Sequence, residues 1–271
     1  MTTGLPRREG GGPHRSAVVT GASAGIGLAF AERLAREHYD LVLVARNRTR
    51  LEELAKRLQE ERGVGVEVLT ADLSRADDLR RVEARIADDP TLDLVVNNAG
   101  FGTQGRFAEL PIEREEEEVR LNVVALVRLT HAALRHMVPR GRGEIVNVSS
   151  LAGFHPGPGV ATYAATKAFV TSFTESLHEE LRETGVRVQA LCPGFTRTEF
   201  QERAQIDVSR VPGFAWMAAD EVVEASLQGL QRGDVIVVPG GLNKALQTGA
   251  ALVPRSLARR IMGAATRRMG R

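Results

Sequence analysis

Short, continuously apolar runs recur along this chain, each separated from the next by a stretch long enough for one helix. Residues 17–20, 41–45, 64–70, 92–97, 144–149, 186–191 and 235–238 read as strands. Between them, residues 25–37, 47–62, 76–87, 113–137, 162–183 and 219–231 read as helices, several with apolar positions three and four apart. Strands apolar at nearly every position are buried on both faces, and a helix between each pair gives βαβ units. The pattern therefore predicts an α/β fold: a doubly wound, seven-stranded parallel sheet with helices on both faces. There is no internal repeat and no linker, so residues 16–241 read as one domain. Residues 1–15 are rich in Gly, Pro and Arg with no apolar segment. They read as a flexible arm and not as a secretory signal.

Composition narrows the function classes. A chain of 271 residues that is 43% hydrophobic can bury a core, and no apolar run approaches the roughly 18 residues of a membrane span. The single cysteine, Cys192, excludes an internal disulfide framework and a multi-cysteine metal site, and suits a reducing, cytoplasmic setting. Charge is unevenly spread. From Leu242 to the C-terminus there is no Asp or Glu, but Lys244 and six Arg give +7; the net charge of +2 for the whole chain leaves an acidic body at −5. A uniformly basic nucleic-acid binder is disfavoured on that balance, and no nucleic-acid partner is expected.

The first strand runs into Thr20-Gly21-Ala22-Ser23-Ala24-Gly25-Ile26-Gly27 and then a helix. Glycine there lets the backbone turn sharply and approach a pyrophosphate, and the helix N-terminus offers free N–H groups and a positive dipole end. A glycine motif alone is also compatible with an ordinary βα turn. Its place in the first strand–turn–helix unit favours a dinucleotide. After the second strand comes Ala45-Arg46-Asn47, with no carboxylate to take a ribose hydroxyl and a guanidinium able to hold a 2′-phosphate. NADP(H) is therefore the expected cofactor, though a solvated arginine is common in a chain where 33 of 36 basic residues are Arg. Asp72-Leu73 and Asn97-Asn98-Ala99-Gly100 follow the third and fourth strands, at the sheet edge where such folds bind ligands.

Tyr163 and Lys167 are four apart on an expected helix and so share a face. A phenol with pKa near 10 must be stabilised as phenolate by about 4 kcal/mol to titrate near 7. A neighbouring ammonium and a nicotinamide cation can supply much of that. Ser150 closes the strand before this helix and can donate to a carbonyl oxygen that gains negative charge. Asn122 interrupts an apolar helical stretch and needs polar partners, such as a water or a bent backbone beside the site.

These motifs, in this order over residues 16–240 and with Pro193-Gly194 after the sixth strand, resemble the compact branch of the short-chain dehydrogenase/reductase family. The resemblance implies the Rossmann fold and NADP(H). It implies Tyr163 as general acid/base, Ser150 as partner of the substrate oxygen, Lys167 on the nicotinamide ribose and depressing the tyrosine pKa, and Asn122 on a relay water. As cofactor-binding residues it implies Gly21, Ser23, Gly25, Ile26 and Gly27, then Arg46, Asp72, Leu73, Asn98, Ala99 and Gly100. Tyr163, Lys167, Pro193, Gly194, Thr196 and Thr198 complete the set, with Thr198 on the carboxamide. A homodimer or homotetramer through the two long helices is also implied. Two departures stand out: Ala24 replaces a basic residue common in NADP-preferring members, and Thr196 replaces a branched aliphatic.

Other features are read against these. Cys192 reads as a small buried hydrophobe. His155 follows the catalytic serine and reads as a loop residue within reach of substrate, while the helical histidines 131, 136 and 178 lack ligand spacing, so no metal is expected. Glu115-Glu116-Glu117-Glu118 reads as a solvated first turn favoured by the helix dipole. Phe195, Phe200, Phe214, Trp216 and Met217 fall where the family carries its substrate lid and point to a small apolar carbonyl or alcohol substrate. Residues 255–269 read as a basic amphipathic helix within a C-terminal extension, 242–271, suited to a membrane surface, an acidic partner or the chain's own acidic body. The leading expectation is an NADP(H)-dependent oxidoreductase interconverting a ketone or acyl ketone and a secondary alcohol. A catalytically weak NADP(H)-binding regulator and a membrane-docked lipid or acyl-chain reductase are the alternatives. A sugar-nucleotide epimerase would carry a longer C-terminal domain.

Overall fold

β1 (Ser16–Thr20), β2 (Asp40–Ala45), β3 (Val66–Thr70), β4 (Leu94–Asn97), β5 (Gly143–Val148), β6 (Val186–Leu191) and β7 (Ile236–Val237) form one parallel sheet. Their order in the sheet is β3-β2-β1-β4-β5-β6-β7. The computed structural model describes residues 15–154, 157–204, 206–209 and 211–251. Most of the expected N-terminal arm, His155 and the expected helix 255–269 lie outside them.

Every residue of β1 and β2 is buried, and the alternation of side chains across each strand divides the core in two. Ala17, Val19, Leu41 and Leu43 join Phe30 and Leu34 of α1 (Gly25–Arg36), Leu51 and Leu58 of α2 (Arg48–Arg62), and Val222 and Leu227 of α8 (Ala219–Arg232). On the opposite face, Val18, Val42 and Val44 meet Leu79 and Val82 of α3 (Ala76–Ala87) and Leu129 and Met137 of α5 (Leu126–Arg140). Leu181 of α6 (Ala161–Leu181) closes that layer. The two-faced covering expected from the apolar runs is the one observed.

The expected single helix over 113–137 is divided. α4 (Ile112–Val119) passes through one wide π-helical turn, Arg120–Ala125, into α5. Such insertions concentrate at functional sites, and this one contains Asn122. Leu121-Asn122-Val123-Val124 is equally compatible with an unbroken α-helix, so the apolar pattern alone does not show the wider turn.

Topology places the site. From β1 the chain winds outward to β2 and β3, whereas β4 to β7 wind the other way, so the connections leaving β1 and β4 diverge and open a crevice at the carboxyl edge. Beyond β6, a short α7 (Phe200–Arg203) precedes α8, and α9 (Gly241–Ala251) runs through the position where the basic extension was expected to begin. Asn243 of α9 is buried and donates to the Pro239 carbonyl at 2.8 Å. No helix among the described residues is long and apolar enough to cross a membrane.

Candidate active site

The turn after β1 is built for close approach. Gly21 and Gly25 sit at φ +67° and +56°, a region L side chains rarely adopt. A Cβ on Gly27 would stand 2.4 Å from the Gly21 carbonyl oxygen. Ala24, the N-cap of α1, makes no side-chain cap, and the first turn carries no acidic residue, so this helix end offers its N–H groups and positive dipole to an anion. A Cβ on Gly25 would lie 3.0 Å from the Thr198 side chain, so the segment after β6 folds over the turn.

Several expected contact residues first hold the scaffold. Asn98 Nδ2 donates to the Thr20 carbonyl at 2.8 Å, and the backbone N–H groups of Asn98 and Ala99 both donate to Thr20 Oγ1, locking β4 to β1 at the crevice. Asp72 Oδ1 accepts from Ser74 N–H at 3.0 Å and from the Ser74 hydroxyl at 2.7 Å. Leu73 points into the core, leaving only its backbone for a ligand, and Ile26 packs against the other core face. Pro193 accepts from the Leu151 N–H at 3.0 Å, and Gly194 lies against Asn243. Thr196 donates to the Gly194 carbonyl at 3.1 Å, and Thr198 accepts from the Phe200 N–H at 3.2 Å. Ser23 lies half-buried in the turn. At the end of β2, Arg48 pairs with Glu52 and Arg50 with Glu199, but exposed Arg46 has no ion-pair partner among the described residues.

α6 brings Tyr163 and Lys167 beside Ser150, at the end of β5. Lys167 is 5% exposed; its Nζ donates to the Val148 carbonyl at 2.8 Å and lies 5.8 Å from the centre of the Tyr163 ring. Burial pushes this ammonium down to about 8, against the pull of Glu118. Desolvation pushes the Tyr163 phenol up to about 12, more than neighbouring Ser150 lowers it. The depressed phenol expected from the sequence is therefore not the state found here, because burial outweighs the lowering by Ser150. Ser149, next to Ser150, donates to the Lys167 carbonyl at 2.8 Å and fixes β5 to α6. Burial likewise pushes Cys192 up to about 12, which suits an inert thiol.

Asn122, 2% exposed, makes three bonds. Its Oδ1 accepts from the Phe101 N–H at 3.2 Å, and its Nδ2 donates to the Phe101 carbonyl at 2.8 Å and to Thr166 Oγ1 at 3.1 Å. Gly100 lies directly over it, for a Cβ there would be 2.9 Å from Asn122 Oδ1. One turn earlier the sequence reading fails. Glu115 and Glu118 are not solvated but 4% and 0% exposed, because their i, i+3 spacing turns both inward while Glu116 stays outside. Glu115 accepts from the Thr162 hydroxyl, and Glu118 Oε2 accepts from Thr103 N–H at 2.9 Å and Thr103 Oγ1 at 2.8 Å. The spacing was a visible signal, but charge made it read as surface.

The aromatic residues divide into pairs. Phe200 packs on Tyr163 with ring centres 5.6 Å apart, and Phe195 on Trp216 at 5.5 Å, while Phe214 is 79% exposed. Among the described residues no cluster of three or more His, Cys, Asp or Glu side chains is grouped to hold a metal ion.

The family model for short chain dehydrogenases matches residues 15–208. An uncharacterized oxidoreductase of Myxococcus xanthus is 40% identical over 225 residues, 83% of this chain and 87% of that protein. A short-chain dehydrogenase from Sphingobium yanoikuyae, solved in complex with NADPH, is 42% identical with a TM-score of 0.80, covering 89% of this chain and 96% of its own. The bulky-bulky ketone specific alcohol dehydrogenase from Comamonas testosteroni is 35% identical with a TM-score of 0.77, covering 90% and 96%. A sheet ordered β3-β2-β1-β4-β5-β6-β7, matched by relatives along most of their own length, leaves one conclusion: this chain belongs to the short chain dehydrogenase family.

Proposed function

We propose that the protein is an NADP(H)-dependent oxidoreductase that interconverts a ketone, or an acyl ketone, and a secondary alcohol. The observation that carries this reading is the Tyr163 ring on α6, with the buried Lys167 ammonium 5.8 Å from its centre and Ser150 near enough to lower the phenol's pKa. A dinucleotide fits the residues present: the first turn has no room for a Cβ at Gly27, and the end of α1 is uncapped. The choice of NADP(H) is supported by Arg46, which alone among Arg46, Arg48 and Arg50 has no ion-pair partner in the described residues and has no carboxylate beside it in sequence. The Sphingobium relative solved with NADPH agrees with it. NADPH, when bound, supplies the hydride and a ribose for Lys167.

The chain's own residues do the rest. At neutral pH the Tyr163 phenol keeps its proton and can give it to a carbonyl oxygen as charge develops there. Ser150 is the second donor to that oxygen. Lys167, fixed by Val148, holds a positive charge in a dry interior and favours the phenolate left behind. The Phe195–Trp216 pair and exposed Phe214 offer apolar surface in the segment after β6, and Phe200 packs on Tyr163 itself. A bulky apolar ketone is the substrate class we favour, in keeping with the description of the Comamonas relative. The single buried Cys192 suits a reducing, cytoplasmic compartment. NADPH consumption over a panel of ketones, acyl ketones and steroids tests the assignment. Tyr163→Phe should lower kcat by about 10²–10⁴-fold. A panel with no turnover, or a variant that loses nothing, would overturn it.

A further inference from the structure

Four residues before Asn122 and on the same helical face, Glu118 is fully shut from solvent. Thr103 supplies both hydrogen bonds to Oε2, while Oε1 is buried with no hydrogen-bond partner. The Thr103 loop touches the catalytic phenol: a Cβ on its neighbour Gly102 would stand 2.8 Å from Tyr163 Cδ2. Glu118 thus fixes, through Thr103, a loop that packs on the ring of Tyr163. Asn122 holds the same loop two residues earlier, through Phe101.

The charged and titratable groups facing Glu118 are few. Its own helix brings Glu115, α6 brings Lys167 and Tyr163, and the loop brings only the Thr103 hydroxyl. Burial and Glu115 push the Glu118 carboxyl up, to about 7, while the Thr103 bonds and Lys167 oppose that rise. An ionised Glu118 in turn raises both Lys167 and Tyr163. Glu118 therefore bears on both of the other proton-exchanging groups, and Lys167 bears on it in return.

We propose that Glu118 is a positioning residue of the site, which holds the Gly102 loop on the Tyr163 ring and sets its carboxylate charge in the buried pocket beneath that loop. Its catalytic consequence rests on the oxidoreductase reading; its effect on the two neighbouring groups does not. Glu118→Gln separates the two roles, since the amide oxygen still accepts from Thr103 but carries no charge.

The chain has two tyrosines, so Tyr39→Phe leaves Tyr163 as the only phenol. Tyrosinate absorbance is titrated in that background, with and without Glu118→Gln and with and without NADP⁺. The Gln variant should ionise at lower pH by roughly one unit. Coincident curves would overturn the charge role. Thermal stability gives a second reading free of turnover. The Glu118 pKa is raised on folding, so between about 4.5 and about 7 the folded state holds a proton that the unfolded state has lost. Wild-type Tm should therefore fall relative to Glu118→Gln as pH rises through that window. A constant difference would also overturn the proposal. Should Glu118→Gln fail to fold, Thr103→Val serves. Losing one bond to the carboxylate should carry the decline to higher pH, and an unmoved decline would count against it. If wild-type protein reduces no ketone, the oxidoreductase reading fails while these titrations still decide the role of Glu118. If reduction occurs, its alkaline limb should move to lower pH in Glu118→Gln, and an unmoved limb would refute the link to catalysis.

Discussion

Asn122 closes both backbone polar groups of Phe101, accepting from its N–H at 3.2 Å and donating to its carbonyl at 2.8 Å. A third bond, to Thr166, ties the same side chain to α6. Asn122→Leu would leave these groups unpaired in the interior, at a cost of about 1–3 kcal/mol. At this size each kcal/mol lowers Tm by roughly 2–4 °C. Asn122→Asp keeps the acceptor and should lose less. Thermal melts of the two variants check the order, and an equal loss would contradict the pairing described.

Gly102 lies against the Tyr163 ring without a strained backbone, so its role is one of space. In Gly102→Ala the new methyl would meet Cδ2 at 2.8 Å and push the phenol from Ser150. Displacement of this kind can cost on the order of 10²-fold in rate. We expect kcat to fall by about that factor while NADPH affinity, read by fluorescence, is unchanged. Loss of NADPH binding instead would mean that the loop serves the cofactor.

Arg46 is assigned the 2′-phosphate because it is exposed at the end of β2 and free of ion pairs among the described residues, whereas Arg48 and Arg50 are held by Glu52 and Glu199. A charge-assisted bond contributes roughly 1.5–3 kcal/mol, which is about 10–100-fold. Arg46→Ala should reduce the preference for NADPH over NADH by that amount, mainly by weakening NADPH. An unchanged ratio would move the assignment elsewhere.

How much of this was legible in the sequence depends on what each residue needed from the rest of the chain. The strands announced themselves because Ala17, Val18 and Val19, for instance, are apolar in succession, and only burial on both faces explains that. Tyr163 and Lys167 were legible because helical spacing alone brings them to one face. Glu118 was not, since a carboxylate in a run of four reads as surface until Thr103 and Lys167 are seen to surround it. Nor was the π-helical turn at Asn122, whose side chain bonds Phe101, 21 residues away. Asn98 was legible as important but misleading in kind, for its amide holds the Thr20–Gly21 turn and does not simply await a ligand.

Lys167 makes activity and stability part company above neutral pH. Burial brings its ammonium down to about 8 from an ordinary 10.5. The charged form is the one that stabilises a phenolate, so kcat/KM for NADPH, which reports the free enzyme, should fall as pH rises through about 8. Folding has the opposite slope. Between about 8 and 10.5 the unfolded chain holds a proton on this lysine that the folded chain has released, so the contribution of Lys167 to stability rises with pH. Lys167→Met lacks that proton in both states. Wild-type Tm should therefore gain on the variant across the window in which wild-type activity declines. A Tm difference that stays constant with pH would show that the lysine enters the folded protein with its ordinary affinity for protons.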